Sequence, residues 1–221
     1  MGYKLAIFDM DGTILDTIQD LSDTLNYSLT ACGYPERTLA EAKSFVGNGI
    51  RRLIEQAVPE NTAAEKVDEV FRVFNEHYVD HCRDKTKPYD GIEELIRDLR
   101  AEGVITAVVS NKADYAVQEL SVEFFEGLFD FSIGMRDDIR KKPYPDSVNM
   151  VLAQFGIDRE DSVYIGDSEV DLATAKNAEM DCLAVGWGFR SEEELLAAGA
   201  TEVIWTMDEL KKRILGNTDL G

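Results

Sequence analysis

Residues 4–16 read KLAIFDMDGTILD, so that Asp9 and Asp11 stand two residues apart at the end of an apolar run, followed at once by Gly12 and Thr13. A turn would account for these residues, because Asp and Gly favour turns. Chemistry would account for them too. One carboxylate can act as a nucleophile that forms a covalent intermediate, and a second can give and take the proton. The rest of the chain favours chemistry, because two more apolar runs also end in acids or hydroxyls. AVVSN ends in Ser110 and Asn111, and VYIGDSEVD ends in Gly166 and Asp167 with Asp171 four residues on. In open α/β sheets ligands bind beyond such strand ends. Between them, RKKPYPD places Lys142 before a proline, in an extended or turn conformation from which it can project as a point charge.

If Asp9, Asp11, Asp167 and Asp171 converge, carboxylates about 4 Å apart repel by about 4 kcal/mol at an effective dielectric constant near 20. Such a cluster needs a cation. Oxygen ligands without a His or Cys cluster indicate a hard ion, and Mg²⁺ suits few carboxylates plus a substrate phosphate better than Ca²⁺ does. A calcium loop fits poorly, since the acids come from separate strands. A metal in turn makes a phosphate substrate plausible by screening its charge from a carboxylate nucleophile. Gly12 lets backbone approach the ligand, and Thr13 and Ser110 offer hydroxyl donors.

These residues need a frame. Short apolar runs at 4–8, 104–109, 130–134, 162–166, 182–187 and 202–205 lack strict alternation, as strands buried on both faces do. Helical patterns at 91–103, 113–125, 146–156, 169–179 and 191–199 separate them. Alternating strand and helix predicts a doubly wound, Rossmann-like α/β fold with a parallel sheet. One interval breaks the rhythm. From Asp9 to Val104 there is no convincing strand, and helical patterns at 22–33, 39–47, 49–58 and 63–82 fill the gap. The expected organisation is a core of residues 1–16 and 86–221, with a helical cap domain of residues 17–85 inserted.

Composition narrows the partners. With 23 Lys and Arg against 43 Asp and Glu, the net charge of −20 repels nucleic acid and anionic membranes. No apolar run approaches a membrane span and no signal peptide is evident. Three widely spaced cysteines fit reduced thiols better than a disulfide framework. A cytoplasmic protein is expected, monomeric or homodimeric, acting on a small phosphorylated metabolite.

DMDGT (9–13), SN (110–111), KP (142–143) and GDSEVD (166–171), in this order and with a helical insertion after the first, resemble the haloacid dehalogenase superfamily of aspartate-nucleophile phosphohydrolases. The resemblance covers nearly the whole chain. It implies Asp9 as the nucleophile and Asp11 as the acid and then base. Thr13, Ser110, Asn111 and Lys142 would bind phosphate, with help from backbone N–H groups near Asp11 and Asn111. Asp9, the Asp11 main-chain carbonyl and Asp167 would ligate Mg²⁺, with Asp171 behind them orienting Lys142 or a metal-bound water. Asp11 separates the chain from the dehalogenases and the phosphonoacetaldehyde hydrolases, which lack the second acid. Gly166 separates it from the β-phosphoglucomutases, which typically carry Glu there.

FVGNGIRRLI (45–54), VVSNKADYAV (108–117) and GWGFRSEEELLAAGA (186–200) look like segments of bacterial phosphoglycolate phosphatases. In the cap, Gly47, Asn48 and Gly49 are expected to present backbone donors to substrate, and Arg51, or Arg52 beside it, to pair with a carboxylate. That resemblance implies 2-phosphoglycolate as substrate. The alternatives are a pyrophosphatase, nucleotidase or sugar phosphatase of the same family, a β-phosphoglucomutase-like isomerase, and a non-catalytic binding module. His77 and His81 have i, i+4 spacing, but with no third ligand in sight they are expected to be structural. Trp187 and Phe189 could line the cleft or pack beneath it.

Overall fold

The structure, a computed structural model, describes residues 2–217. Six parallel strands form one sheet: β1 (Leu5–Phe8), β4 (Ile105–Ala113), β5 (Phe131–Met135), β6 (Ser162–Gly166), β7 (Asp181–Val185) and β8 (Val203–Ile204). Two further short strands, β2 (Leu15–Asp16) and β3 (Lys87–Pro88), pair antiparallel as a separate ribbon. The sheet order is β5-β4-β1-β6-β7-β8, so the chain moves outward from β1 through β4 to β5 and then returns to its other side. β1 therefore lies at the point where the winding reverses, and the crevice above its carboxyl end is where such sheets bind ligands.

Burial on both faces explains the uninterrupted apolar runs. Along β1, Leu5 and Ile7 face one apolar cluster and Ala6 and Phe8 the other, the period of two that a strand imposes. Helices α7 (Asp146–Phe155) and α8 (Glu169–Asn177) cover the first face through Val148, Val151 and Ala175. On the second lie α5 (Ile92–Ala101), α6 (Asp114–Phe125) and α10 (Met207–Leu215), which contribute Leu95, Leu120 and Leu210. α9 (Glu192–Ala197) begins in a capping box between Ser191 and Glu194. The helix at α10 is absent from the sequence reading; its core residues Leu210 and Ile214 are sparse among charged neighbours.

The interval after β1 holds α1 (Ile18–Ala31), α2 (Leu39–Phe45), α3 (Ile50–Ala57) and α4 (Ala64–His81). Leu21, Leu25 and Leu29 give α1 a buried stripe, and Val67, Val70, Phe74 and Tyr78 give α4 its counterpart, both at helical spacing. The ribbon of β2 and β3 ties the exit and return of this insertion. Asp20 reinforces the tie: its buried carboxylate accepts the N–H groups of Lys85 and Thr86 and the Thr86 hydroxyl.

Candidate active site

Strand register brings the polar residues to one edge. Phe8 lies opposite Val108 on one side and Ile165 on the other, so Asp9, the Val109–Ser110 step and the Gly166–Asp167 step emerge together. Asp9 is 7% exposed. Its Oδ1 accepts the Met10 N–H at 2.7 Å and pairs with Lys142 Nζ at 2.9 Å. No hydrogen bond among the described residues reaches its Oδ2, and since every fully buried polar side-chain atom there has a partner, this oxygen opens to the cleft. Asp11 is held the same way. Its Oδ1 accepts from Thr17 Oγ1 at 2.8 Å and from Lys112 Nζ at 2.9 Å, which leaves Oδ2 without a donor.

Beneath Asp9, Lys142 reaches Asp171 at 2.8 Å and the Tyr164 hydroxyl at 3.1 Å. The other oxygen of Asp171 accepts the Ser168 N–H and hydroxyl, so both its oxygens are engaged. Gly166 permits this contact, because a Cβ there would lie 2.3 Å from Asp171. Asp167 accepts from Thr13 Oγ1 at 3.1 Å and from the Phe189 N–H at 2.7 Å. Thr13, which the sequence pointed at phosphate, is fully buried and its hydroxyl donates to Asp167. Ser110 does line the cleft; its Oγ accepts the Lys112 N–H, so its own proton is free to be donated. The Asn111 side chain brackets Lys142, accepting its N–H and donating to its carbonyl, and thereby fixes the lysine loop.

Charge in this pocket is unbalanced. Burial, then Asp171, push the Asp9 carboxyl up to about 8 against the opposing pull of Lys142. Burial and Asp171 likewise push Asp167 up to about 7, despite its N–H and hydroxyl donors. For Lys142 burial works against the charged form, but Asp171 and Asp9 outweigh it and hold the pKa well above that of an ordinary lysine. One ammonium thus faces three carboxylates, Asp9, Asp167 and Asp171, whose ligand atoms all lie within 4.8 Å of one another. Asp9 keeps one oxygen without a donor and Asp167 takes a single donor on each oxygen, whereas Asp171 takes three donors, so the donor set fits a small, hard, oxygen-seeking divalent cation held chiefly by the first two.

The insertion closes over this edge. Val46, Gly47, Gly49, Ile50 and Leu53 form the facing wall, and the space left between the two sides is about 30 Å³. Three consecutive carbonyls of the turn before α3 are each taken by a core side chain. Arg190 Nη2 donates to Val46 O at 2.8 Å, Asn111 Nδ2 to Gly47 O at 3.0 Å and Lys141 Nζ to Asn48 O at 2.8 Å. The carbonyls of this turn thus dock onto the core. Glycine suits the bend, with φ of +123° at Gly47 and +83° at Gly49.

Arg51 does not line the cleft: it pairs with Glu55 and Asp68, and Arg52 likewise pairs with Glu55. The cations that line the cleft are Lys112 and Arg190. Sequence reasoning named neither, although Lys112 lies two residues beyond Ser110 and so falls on the same side of an extended strand. Phe189 lines the cleft, while Trp187 packs below it and donates to Thr13 O. His77 and His81 stack on each other at 4.1 Å, and His77 on Tyr27 at 3.9 Å. Stacked rings aim their lone pairs side by side, which is packing and not convergent ligation.

The description haloacid dehalogenase-like hydrolase belongs to the family model that matches residues 6–185. A phosphoglycolate phosphatase of Psychrobacter arcticus is 31% identical over 211 residues, covering 91% of each chain. Another, of Pseudomonas syringae pv. tomato, is 30% identical over 223 residues, covering 98% of this chain and 80% of that one. A crystal structure from Lactobacillus delbrueckii subsp. bulgaricus, provisionally named phosphoglycolate phosphatase, superposes with a TM-score of 0.94 at 42% identity, covering 98% of this chain and 100% of that one. The chain belongs to the haloacid dehalogenase-like hydrolases and is a phosphoric monoester hydrolase among them.

Proposed function

We propose that the protein is a Mg²⁺-dependent phosphatase that hydrolyses a small phosphomonoester, 2-phosphoglycolate in the first instance, through an aspartyl phosphate on Asp9. The observation that carries this reading is that Asp9 and Asp11 are each pinned through one oxygen, with the other left toward the same cleft. Asp9 Oδ2 attacks phosphorus, the bond from phosphorus to the ester oxygen breaks, and the protonated Asp11 carboxyl delivers its proton to the departing alkoxide. Asp11, now a carboxylate, takes a proton from water as that water attacks the aspartyl phosphate, releasing inorganic phosphate and restoring Asp9. Ser110 donates to a phosphoryl oxygen, and Lys142 fixes Asp9 with Asp171 behind it. Asp9, Asp167 and the Asp11 carbonyl would hold the metal, which when bound neutralises charge shared by carboxylates and phosphate.

Residues 17–85 act as a cap that must swing away to admit substrate, since about 30 Å³ accommodates a water or two and no phosphoester. Closure then excludes bulk water during transfer. The names of the relatives support phosphoglycolate. Gly166 supports hydrolysis over mutase chemistry, because a glutamate there would run into Asp171. None of the described helices is long and apolar enough to cross a membrane, and together with the thiol content this supports a cytoplasmic site of action.

The test is phosphate release from phosphoglycolate, pyrophosphate, nucleoside monophosphates and sugar phosphates, with Mg²⁺ and with chelator. Phosphoglycolate is expected to lead the panel, chelator to abolish release, and Asp9→Asn to reduce it by at least about 10⁴-fold without loss of fold. Full activity of Asp9→Asn would overturn the mechanism. A different leading substrate would overturn the choice of phosphoglycolate alone.

A further inference from the structure

Discrimination in favour of phosphoglycolate requires something that recognises its carboxylate, and Arg51, which pairs with Glu55 and Asp68 and does not line the cleft, leaves that role to another residue. A count of donors in the cleft identifies one. Lys142 donates to Asp171 and the Tyr164 hydroxyl, forms an ion pair with Asp9, and does not line the cleft. Arg190 directs four of its five N–H bonds to Glu169 and to the carbonyls of Lys43 and Val46, and none of them reaches Asp11. Lys112 is different. Its ammonium, with a side chain only 2% exposed, donates to Asp11 Oδ1 at 2.9 Å and to the Tyr78 hydroxyl of α4 at 2.6 Å. An ammonium has three protons, so one remains, on a residue that lines the cleft.

We infer that Lys112 is the specificity-determining residue that binds the substrate carboxylate. The inference rests on the phosphatase reading above, in which Asp11 protonates the leaving oxygen. That oxygen must lie against Asp11, and in glycolate the carboxylate is a single carbon away from it. A group in that position meets the ammonium already bonded to Asp11. The local backbone explains why the lysine arrives there. β4 continues through Ser110, Asn111 and Lys112, and the shift in its register with β5 between Val109 and Ala113 turns this last stretch over the edge of the sheet. Tyr78 supplies the cap side of the same pocket, so the carboxylate subsite is complete only when α4 is seated on the core.

The experiment compares kcat/KM for 2-phosphoglycolate with that for ethyl phosphate, which has the same ester and no carboxylate, in wild type and in Lys112→Met. Both rates fall in the variant, because Lys112 also holds Asp11. The expected signature is that their ratio falls about 100-fold, the loss of one charge-assisted contact in a desolvated site. Lys112→Gln, which keeps a donor for Asp11, must show the same collapse and serves where the methionine variant fails to fold. An unchanged ratio in a folded variant overturns the inference and reduces Lys112 to a positioning residue. A wild type that hydrolyses ethyl phosphate as readily as phosphoglycolate overturns instead the choice of phosphoglycolate as substrate.

Discussion

A carboxylate held by one oxygen keeps its orientation and still has a lone pair for chemistry, and Asp9 and Asp11 share this arrangement. Lys142 is what makes it tolerable for Asp9. Removing one partner of a buried ion network leaves charge unpaired, so Lys142→Met is expected to cost about 3–5 kcal/mol of stability by urea unfolding, along with turnover. A loss below about 1 kcal/mol would show that the network bears little weight. The raised carboxyls carry a second prediction. Asp9 and Asp167 bind protons more tightly folded than at the ordinary value of 3.8, so their contribution to folding is complete below that pH and is lost as pH rises through about 7 and 8. The proposed Mg²⁺ would bind the ionised forms. The rise in Tm on adding Mg²⁺ should therefore be larger at pH 8 than at pH 5, and an equal rise would refute the assignment. The gathering of Asp9, Ser110 and Asp167 at one edge was legible because each ends an apolar strand. Thr13 was not, since a hydroxyl gives no sign in sequence of whether it meets a ligand or a neighbouring carboxylate. Arg51 misled because Asp68, its partner, lies 17 residues away on another helix.

At the scale of elements, apolar runs and helical spacing sufficed where burial is two-sided: Ser162–Gly166 is the strand the sequence outlines. They failed where polar residues stay in regular structure. β4 runs on through Ser110, Asn111 and Lys112, which look like a loop, and β2 and β3 are too short for any period to register. The contact between α2 and the core depends on Arg190, which grips Lys43 O and Val46 O from the loop after β7. Arg190→Met should speed amide exchange across residues 43–49 and lower kcat/KM about 10- to 100-fold by loosening the closed arrangement. Unchanged exchange would show that apolar contacts alone seat the cap.

For the whole molecule the charge of −20 opposes the approach of the proposed anionic phosphomonoester. Raising ionic strength from about 0.01 to 0.15 M shortens the screening length from about 30 to 8 Å. At substrate concentrations well below KM, turnover should then rise about two- to threefold. A fall would mean that local positive charge in the cleft dominates the far field. The turn that closes the cleft is held through its main chain, by donors that meet the carbonyls of Val46, Gly47 and Asn48. A grip on backbone is indifferent to the letters that the backbone carries. Gly47 and Gly49 are confined by their positive φ and Val46 by its burial, but position 48 can be rewritten while its carbonyl still meets Lys141, so the turn tolerates change there without rebuilding the machinery of closure.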